Sequence, residues 1–266
     1  MLPAYLGGED EDAMFSLFAT TDEWKEAVAK WDGIPDHPPK EYRKRAKGFR
    51  VLKNDFMEKW FGTSHWITPG VWFTPVIVAC IWHSATVEGL SAWTIAGLFV
   101  VGLLAWTLVE YILHRWLFHL PPSRTPWIKE AQYVLHGYHH DFPLDPGRLV
   151  APPALSWPLA VLVGSIYALL FGSWWTAIFA GTVLGYLGYD WMHYYTHHAN
   201  PRNPLGRFMR RFHFEHHFGT AHSQYGLSSP LWDVFLGTFW TTKAFGKKKG
   251  TTGKKVKKPE TPHTAT

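Results

Sequence analysis

Cysteine is almost absent from this 266-residue chain. The single Cys80 lies inside an apolar run, so no disulfide can form within the chain and no cysteine-ligated zinc or iron–sulfur site is available. Any bound metal must therefore be held by nitrogen.

The N-terminus lacks the pattern of a signal peptide, because MLPAYLGGEDEDAM is acidic and no apolar core follows it. The net charge of +5 is concentrated in three places: KEYRKRAKGFRVLK, the RRF triplet at 210–212, and KKKGTTGKKVKK near the end. Basic residues that flank apolar runs usually set membrane topology. We therefore expect the protein to associate with a membrane and not to bind nucleic acid.

Aromatic residues are abundant, with 16 tryptophans among the 17% of residues that are aromatic. Trp and Tyr favour the membrane–water interface. The mean hydropathy of −0.12 is an average in which charged ends and His-rich linkers dilute several apolar runs. These runs approach the roughly 20 residues needed to cross a bilayer. They cover Thr68–Thr86, Leu90–Leu113, Leu155–Phe171 and Trp174–Tyr189.

Short polar turns separate the first run from the second and the third from the fourth. This pattern predicts an all-α integral membrane protein with four transmembrane helices in two hairpins. The basic segment before the first span places the N-terminus in the cytoplasm. Every histidine-rich stretch then falls on the cytoplasmic side. We expect a soluble or amphipathic cap at 1–60, a membrane domain at 61–240, and a basic, disordered tail at 241–266. Within the cap, TTDEWKEAVAKWDG predicts a helix that Thr20 or Thr21 caps and Gly33 ends.

Histidines dominate the candidate chemistry, since ten of sixteen fall in four tight groups. The groups are HRWLFH, HGYHH, HYYTH and HFEHH, at 114–119, 136–140, 193–197 and 213–217. Residues four apart share one face of a helix, so each group can hold one metal region. Ten imidazoles exceed what one ion can bind, which predicts two ions with about five histidines each.

The identity of the metal follows from the donors and from the missing nucleophiles. Imidazole suits iron, copper, zinc and nickel, and no serine or cysteine nucleophile is evident. Redox chemistry with iron and dioxygen is therefore favoured, while zinc hydrolysis stays open as an alternative.

His114 and His119 are five residues apart, which places them about 140° from each other around a straight α-helix. Both can therefore face one ion only if the chain turns, and Pro121 and Pro122 end that helix.

Glu110 and Asp190 lie in apolar surroundings, each about one helical turn before a histidine. They are candidate partners that orient ligating imidazoles, and the alternative is an interfacial ion pair with Arg115 or a similar residue.

The motifs EYILHRWLFHL, HGYHHDFPLDPGRLVAPP, GYDWMHYYTHH, FHFEHHF and YGLSSPLWDVFLGTF, in this order and spacing, resemble the fatty acid 2-hydroxylase branch of the fatty acid hydroxylase superfamily. The resemblance covers about 56–239. It implies a membrane enzyme with a histidine-ligated di-metal centre that uses dioxygen and two electrons to hydroxylate carbon 2 of a long-chain fatty acyl group, free or within a sphingolipid such as ceramide.

The resemblance also implies the metal ligands, and it leaves His198 and His222 outside them. The implied ligands are His114, His119, His136, His139, His140, His193, His197, His213, His216 and His217. We expect His65 and His83 to be packing or interfacial residues, and His37 and His263 to be solvent-exposed. The metal should be iron, with zinc able to replace it during purification. Location would be the endoplasmic reticulum membrane in a eukaryote or the inner membrane in a bacterium.

One departure concerns electron supply. Many eukaryotic members of the family carry an N-terminal cytochrome b5-like domain, whereas His37-Pro38-Pro39 is not the haem-binding His-Pro-Gly-Gly motif. Electrons are therefore expected from a separate cytochrome b5 or ferredoxin.

Several interpretations stay open. Arg148 either contacts a substrate carboxylate or head group or forms a structural ion pair. The stretch YGLSSPLWDVFLGTF either lies in the membrane interface or packs under the metal site. A sterol or carotenoid hydroxylase or desaturase has similar histidine spacing. A non-redox metal-binding membrane protein, such as a zinc carrier, is disfavoured because Glu110 and Asp190 lie at span ends beside histidines and not along a path.

Overall fold

The computed structural model describes residues 21–36 and 47–239, and every regular element in these ranges is helical. The α-helices, in chain order, are α1 (Asp22–Lys30), α2 (Asp55–Met57), α3 (Thr68–Thr86), α4 (Ala92–Leu113), α5 (Pro126–Gln132), α6 (Tyr138–Asp141), α7 (Pro153–Phe171), α8 (Trp175–His198), α9 (Pro204–Phe218) and α10 (Leu231–Phe235). Three π-helical segments cover Glu58–Gly62, His114–Phe118 and Tyr133–Gly137, and short 3₁₀ turns cover Pro146–Arg148 and Gly172–Trp174.

Helix α1 lies where the sequence predicts it, with Thr21 as its N-cap. The Thr21 side chain accepts a hydrogen bond from the Trp24 backbone N–H at 3.2 Å, which satisfies one of the free donors of the first turn. The helix ends at Lys30, three residues before the expected Gly33. Its buried face packs Trp24 against Tyr133, with ring centroids 5.5 Å apart, so this part of the cap rests on the segment that carries HGYHH.

The four long helices coincide closely with the four apolar runs. Helix α3 has the predicted bounds, and α4 and α7 differ from prediction by two residues at the start. Helix α8 departs most, because it continues nine residues beyond Tyr189 to His198. Its backbone hydrogen bonding does not stop where the hydropathy falls, and this extension carries three histidines, His193, His197 and His198.

Helix α8 is the centre of the bundle, since α3, α4 and α7 all pack against it. The α3–α4 contact is minor, so the first predicted hairpin is held mainly through α8. Helices α4 and α8 approach backbone to backbone at Gly102 and Gly181. A Cβ atom at Gly102 would lie 1.9 Å from the Ile178 carbonyl oxygen, and one at Gly181 would lie 2.0 Å from that of Phe99. Only glycine fits at this crossing.

Polar side chains also tie the helices together. Ser84 of α3 and Thr176 of α8 share a buried hydrogen bond of 2.7 Å, and the Thr182 hydroxyl donates to the Gly102 carbonyl of α4 at 3.1 Å. Such bonds satisfy buried hydroxyls that would otherwise be costly.

Apolar side chains cover the outside of the bundle. Two helical stretches, Ala92–Phe118 and Pro146–His198, are long and apolar enough to cross a membrane, with mean hydropathies of 2.0 and 1.9. The second contains both α7 and α8, joined by the turn at Gly172–Trp174. Trp93 is 89% exposed and Leu169 is 85% exposed. Apolar surface of this extent is expected of a protein that faces lipid.

Candidate metal centre

The structure brings the ten clustered histidines together at one end of the bundle, in two groups of five. In each group, one ring nitrogen per residue lies within 4.8 Å of all the others. We call these groups A and B. Group A contains His114, His119, His136, His140 and His216, and group B contains His139, His193, His197, His213 and His217.

Both HxxHH motifs divide their histidines between the two groups. In each motif the first and last histidines join one group and the middle one joins the other. The α-helix period explains this division in HFEHH, which lies on α9: His213 and His217 differ by about 40° around the helix axis, whereas His216 lies about 100° from His217. In HGYHH the first histidine lies on the π-helical segment Tyr133–Gly137 and the other two lie on α6. The expectation that each sequence group serves a single metal region is therefore wrong for these two motifs. Each motif contributes to both groups.

His114 and His119 both belong to group A, although they are five residues apart. A π-helical segment covers His114–Phe118, and His119 is its C-terminal cap. Because a π-helix bonds residue i to i+5, it places residues five apart one turn from each other. The wider helix supplies the turn of the chain that the spacing requires.

Backbone carbonyls fix the orientation of three imidazoles. The Nδ1 atoms of His114, His193 and His216 lie 2.5, 3.0 and 2.7 Å from the carbonyl oxygens of Tyr225, Leu149 and Ser223, respectively. A carbonyl oxygen only accepts, so each Nδ1 carries the proton. The Nε2 atom of each ring therefore offers its lone pair toward the centre of its group.

The spacing of the Nε2 atoms fits metal ligation. His136 lies 3.0 Å from His114 and 3.1 Å from His140 in group A, measured between Nε2 atoms. In group B the His193–His139 and His197–His213 separations are both 2.8 Å. Two nitrogens each roughly 2.1 Å from one ion and at right angles to each other would lie about 3.0 Å apart.

Several ring nitrogens have no partner within the described residues. Among the ten histidines these are Nε2 of His216, both nitrogens of His119, and Nδ1 of His140, His197 and His217, all buried and without a hydrogen bond. A buried nitrogen without a partner costs free energy, and a bound ion would remove that cost. The donor set and its geometry therefore fit two metal ions.

Burial keeps the imidazoles neutral. It lowers the pKa of His139 and His217 well below the usual value, and neighbouring imidazoles lower it further. The pKa of His216 is lowered by burial in the same way. Neutral imidazole is the form that binds metal.

Glu110 and Asp190 are both buried, but among the described residues neither forms a hydrogen bond with any of the ten imidazoles. Instead, Oε1 of Glu110 accepts from the backbone N–H groups of Leu227 and, at 2.9 Å, Ser228. These N–H groups follow Tyr225, whose carbonyl orients His114. Glu110 thus acts on the histidine through the loop at 223–230.

Asp233, which no sequence pattern singles out, supports the same loop. This fully buried carboxylate accepts from the backbone N–H groups of Tyr225 and Gly226, each at 2.8 Å. A Cβ atom at Gly226 would lie 2.2 Å from the Ser229 carbonyl oxygen, so the tight turn requires glycine. Glu215 adds a further contact, because it accepts from the Gln224 side chain at 2.8 Å.

Arg148 forms a structural ion pair with Glu58 and donates to the Gly62 carbonyl. Its guanidinium also lies 4.9 Å from the centre of the Tyr138 ring. Arg148 therefore ties the segment 58–62 to the chain beside Leu149. The carbonyl of Leu149 in turn orients His193. The structural ion pair is therefore present. Arg148 also lines the cavity described below, so a contact with a substrate carboxylate or head group stays a hypothesis.

The stretch 225–239 has a buried part, which packs under the histidines as one interpretation predicts, and an exposed apolar part, whose place in a membrane interface stays a prediction. Tyr225 and Leu227 are buried beside the metal centre, whereas Val234 and Phe235 are 61% and 72% exposed. The Trp232 ring N–H donates to the Thr107 hydroxyl of α4 at 2.9 Å, which anchors α10 to the bundle.

The remaining histidines lie outside both groups. His65, His198 and His222 are exposed, and His83 is partly buried. His83 lies 3.9 Å from Glu88. His37 and His263 fall outside the described residues, as do Thr20 and the basic tail.

A cavity of about 750 Å³ opens next to the histidines. Its walls are mainly apolar: α4, α7 and α8 supply one part, with Phe73 from α3, and the segments 51–62, 117–139 and 148–152 supply the rest. Both Glu110 and Asp190 line it. Three imidazoles reach it: His136 of group A, and His139 and His193 of group B. A volume of this size is typical of pockets for organic ligands, so a long apolar molecule would lie against both groups at once.

Comparison with known proteins agrees with this geometry. The family model for fatty acid hydroxylase matches residues 99–238. The dihydroceramide fatty acyl 2-hydroxylase FAH1 of Arabidopsis thaliana is 39% identical over 199 residues, covering 74% of this chain and 83% of that protein. The fatty acid 2-hydroxylase of Rattus norvegicus is 34% identical, covering 73% of this chain and 57% of its own length.

The Saccharomyces cerevisiae ceramide very long chain fatty acid hydroxylase SCS7 is 35% identical, covering 76% of this chain and 52% of that protein. The chain thus spans little more than half the length of the rat and yeast relatives. A solved structure of full-length scs7p, in which only the hydroxylase domain is visible, matches with a TM-score of 0.67 and 28% identity. The match covers 90% of this chain and 94% of that chain.

Proposed function

Because this chain belongs to the fatty acid hydroxylase family, we propose that it is a membrane-bound fatty acid 2-hydroxylase. It inserts one atom of dioxygen into the C2–H bond of a long-chain acyl group, in a free acid or in a sphingolipid such as ceramide. Two electrons and two protons reduce the second oxygen atom to water. The observation that carries the proposal is the apolar cavity that ends on imidazoles of both groups.

The ten histidines of groups A and B are the proposed ligands of two metal ions, one ion in each group. Iron is the expected functional metal, and zinc is an expected replacement in purified protein because neutral imidazole also binds it well. When bound, the iron pair supplies the binding and reduction of dioxygen.

The protein's own residues position the substrate and keep water away. Apolar walls hold the acyl chain by burial of its surface, so that carbon 2 lies near His136, His139 and His193. The carbonyl groups of Tyr225, Leu149 and Ser223 keep three rings in the tautomer whose Nε2 faces inward. These contacts preserve the ligand geometry between turnovers.

The proposed topology has four membrane spans, made by α3, α4, α7 and α8, with the histidine-rich end and both termini in the cytoplasm. The exposed apolar surface of these helices supports it, as does the basic segment before α3. We expect the endoplasmic reticulum membrane in a eukaryotic host and the inner membrane in a bacterial one. A terminal tag that is accessible only from the opposite face would contradict this topology.

The proposed division is a cap at 1–60, a membrane hydroxylase domain at 61–240 and a basic tail at 241–266. Electrons would come from a separate protein of cytochrome b5 or ferredoxin type. Reconstitution with each purified donor and measurement of product per electron would test this source.

The test of activity is expression in cells that lack 2-hydroxy acyl lipids. Total lipids are hydrolysed and the acids are analysed by mass spectrometry, with His139→Ala as the inactive control. The proposal predicts 2-hydroxy acids only with the unaltered chain. Hydroxylated sterols or carotenoids without 2-hydroxy acids would instead indicate a different hydroxylase of the superfamily.

A further inference from the structure

A second cavity of about 310 Å³ adjoins the first one; no histidine lines it, and one side of it is formed by exposed residues of α7 such as Val161. Among the described residues, three line both cavities: Phe73 of α3, Ala160 of α7 and Phe179 of α8. We call these three residues the partition, because their side chains lie between the two spaces.

The two rings of the partition are firmly packed. Phe73 is 2% exposed and Phe179 is 7% exposed. Phe73 stacks on Trp157 with ring centroids 4.9 Å apart and meets Tyr186 edge to face at 5.3 Å. A buried ring held on two sides is a wall and not a mobile gate, because packed interiors resist local displacement.

On the side of the second cavity, the Phe179 ring packs against Gly164 of α7. A Cβ atom added at Gly164 of α7 would lie 3.5 Å from the Phe179 ring. The phenylalanine ring therefore lies directly against the α7 backbone, and the closed position of Phe179 depends on this close fit.

The distance from the histidines to the partition gives a chain length. His193 and Phe179 are both on α8 and fourteen residues apart, which corresponds to about 21 Å along the helix. An extended chain advances about 1.2 Å per bond, so the first cavity accommodates roughly 17 bonds between the metal centre and the partition.

We propose that Phe73, Ala160 and Phe179 end the acyl pocket and so limit the preferred substrate to at most about 19 carbons, because about 17 bonds beyond carbon 2 reach the partition. This inference rests on the proposed function, since it assigns the cavity to an acyl chain whose second carbon lies at the histidines. An acyl group of about 24 carbons would have to pass the partition into the second cavity.

Four variants test the partition. Phe179→Ala joins the two cavities and should raise the ratio of twenty-four-carbon to sixteen-carbon product at least tenfold. Ala160→Phe narrows the first cavity and should shift the products toward shorter chains. Ala168 lines only the second cavity. Ala168→Phe should therefore be silent in the unaltered chain but should cancel the gain when it is combined with Phe179→Ala.

The experiment feeds expressing cells an equimolar mixture of free acids of sixteen, twenty and twenty-four carbons. Total lipids are hydrolysed, and each 2-hydroxy acid is divided by its unhydroxylated counterpart and by protein level. The proposal is overturned if the unaltered chain favours twenty-four carbons, or if Phe179→Ala leaves the ratio unchanged. Should Phe179→Ala fail to accumulate, an unchanged product length in Ala160→Phe overturns it. A complete lack of 2-hydroxy acids of any length would instead refute the proposed function, and the inference with it.

Discussion

Groups A and B contain five imidazoles each, but the chain supports them in different ways. Group B lies entirely on helices, with His139 on α6, two members on α8 and two on α9. In group A, two loop carbonyls, those of Tyr225 and Ser223, orient His114 and His216, and His119 lies at a helix end. Group B has one such contact among the described residues, between the loop carbonyl of Leu149 and His193. Helices hold side chains more rigidly than loops do, so we expect group A to lose its ion more readily.

The largest expected effect comes from removing a proposed ligand. His216→Ala in group A and His139→Ala in group B should each abolish hydroxylation, because both ions are needed for the reaction and a lost ligand removes coordination geometry directly. Product formation by mass spectrometry, normalised to protein in the membrane fraction, checks this. His222→Ala and His198→Ala, which alter exposed histidines outside both groups, are the matched controls. Activity in either ligand variant would mean that the ligand set is wrong.

A change at Asp233 should separate the two groups. Asp233→Ala leaves the buried N–H groups of Tyr225 and Gly226 without their acceptor, at about 1–3 kcal/mol for each. The loop should then release His114, so the variant should keep about one ion per chain and lose most of its activity. Metal analysis of the purified variant measures the loss. Asp55→Ala, which alters an exposed aspartate paired with Arg50, is the control. If the variant lost both ions equally, groups A and B would not be supported independently of each other.

Glu110 should matter less than a ligand. Glu110→Ala removes the acceptor for Leu227 and Ser228, and changes in the residues that position ligands typically cost about 10–100-fold. Glu110→Gln keeps an acceptor oxygen at this position and should retain most activity. We expect Asp190→Ala also to be weaker than a ligand variant, but worse than His37→Ala, which should be silent. If Glu110→Gln were as inactive as Glu110→Ala, activity would depend on the charge of Glu110 and not on its hydrogen bonds to the loop at 223–230.

The smallest expected effect on activity concerns group B. Arg148→Ala breaks the contacts with Glu58 and Gly62, and hydrogen bonds to charged groups contribute about 1.5–3 kcal/mol. The thermal midpoint should therefore fall, while activity changes only severalfold because helix α8 still holds His193. Thermal unfolding and product formation are measured side by side. Arg202→Ala, a change at an exposed arginine, serves as the control, and a loss of activity as large as that of His139→Ala would refute this ranking.

The sequence predicts the four long helices well, because each coincides with an apolar run that approaches the roughly 20 residues of a membrane span and whose ends are visible in the hydropathy. The prediction is wrong at the C-terminal end of α8. There the helix continues through polar residues to His198, and hydropathy carries no signal for such an extension.

The sequence alone identifies the ten clustered histidines, but it does not predict how they divide between groups A and B. The split of HFEHH follows from the α-helix period once the groups are known, whereas the split of HGYHH involves a π-helical segment that the sequence does not announce. The supporting carbonyls of Leu149, Ser223 and Tyr225 have no sequence signature, because every residue carries the same carbonyl. Asp233 was missed for a related reason, since its role depends on a loop whose path is set by tertiary contacts.

The number of metal ions per chain tests the central claim most directly. Protein purified from membranes in the presence of iron should contain about two ions, because each group of five imidazoles is a separate site. In His216→Ala the content should fall toward one, with the ion of group B retained. A content of none or one at full occupancy in the unaltered chain would contradict the account of two histidine sites.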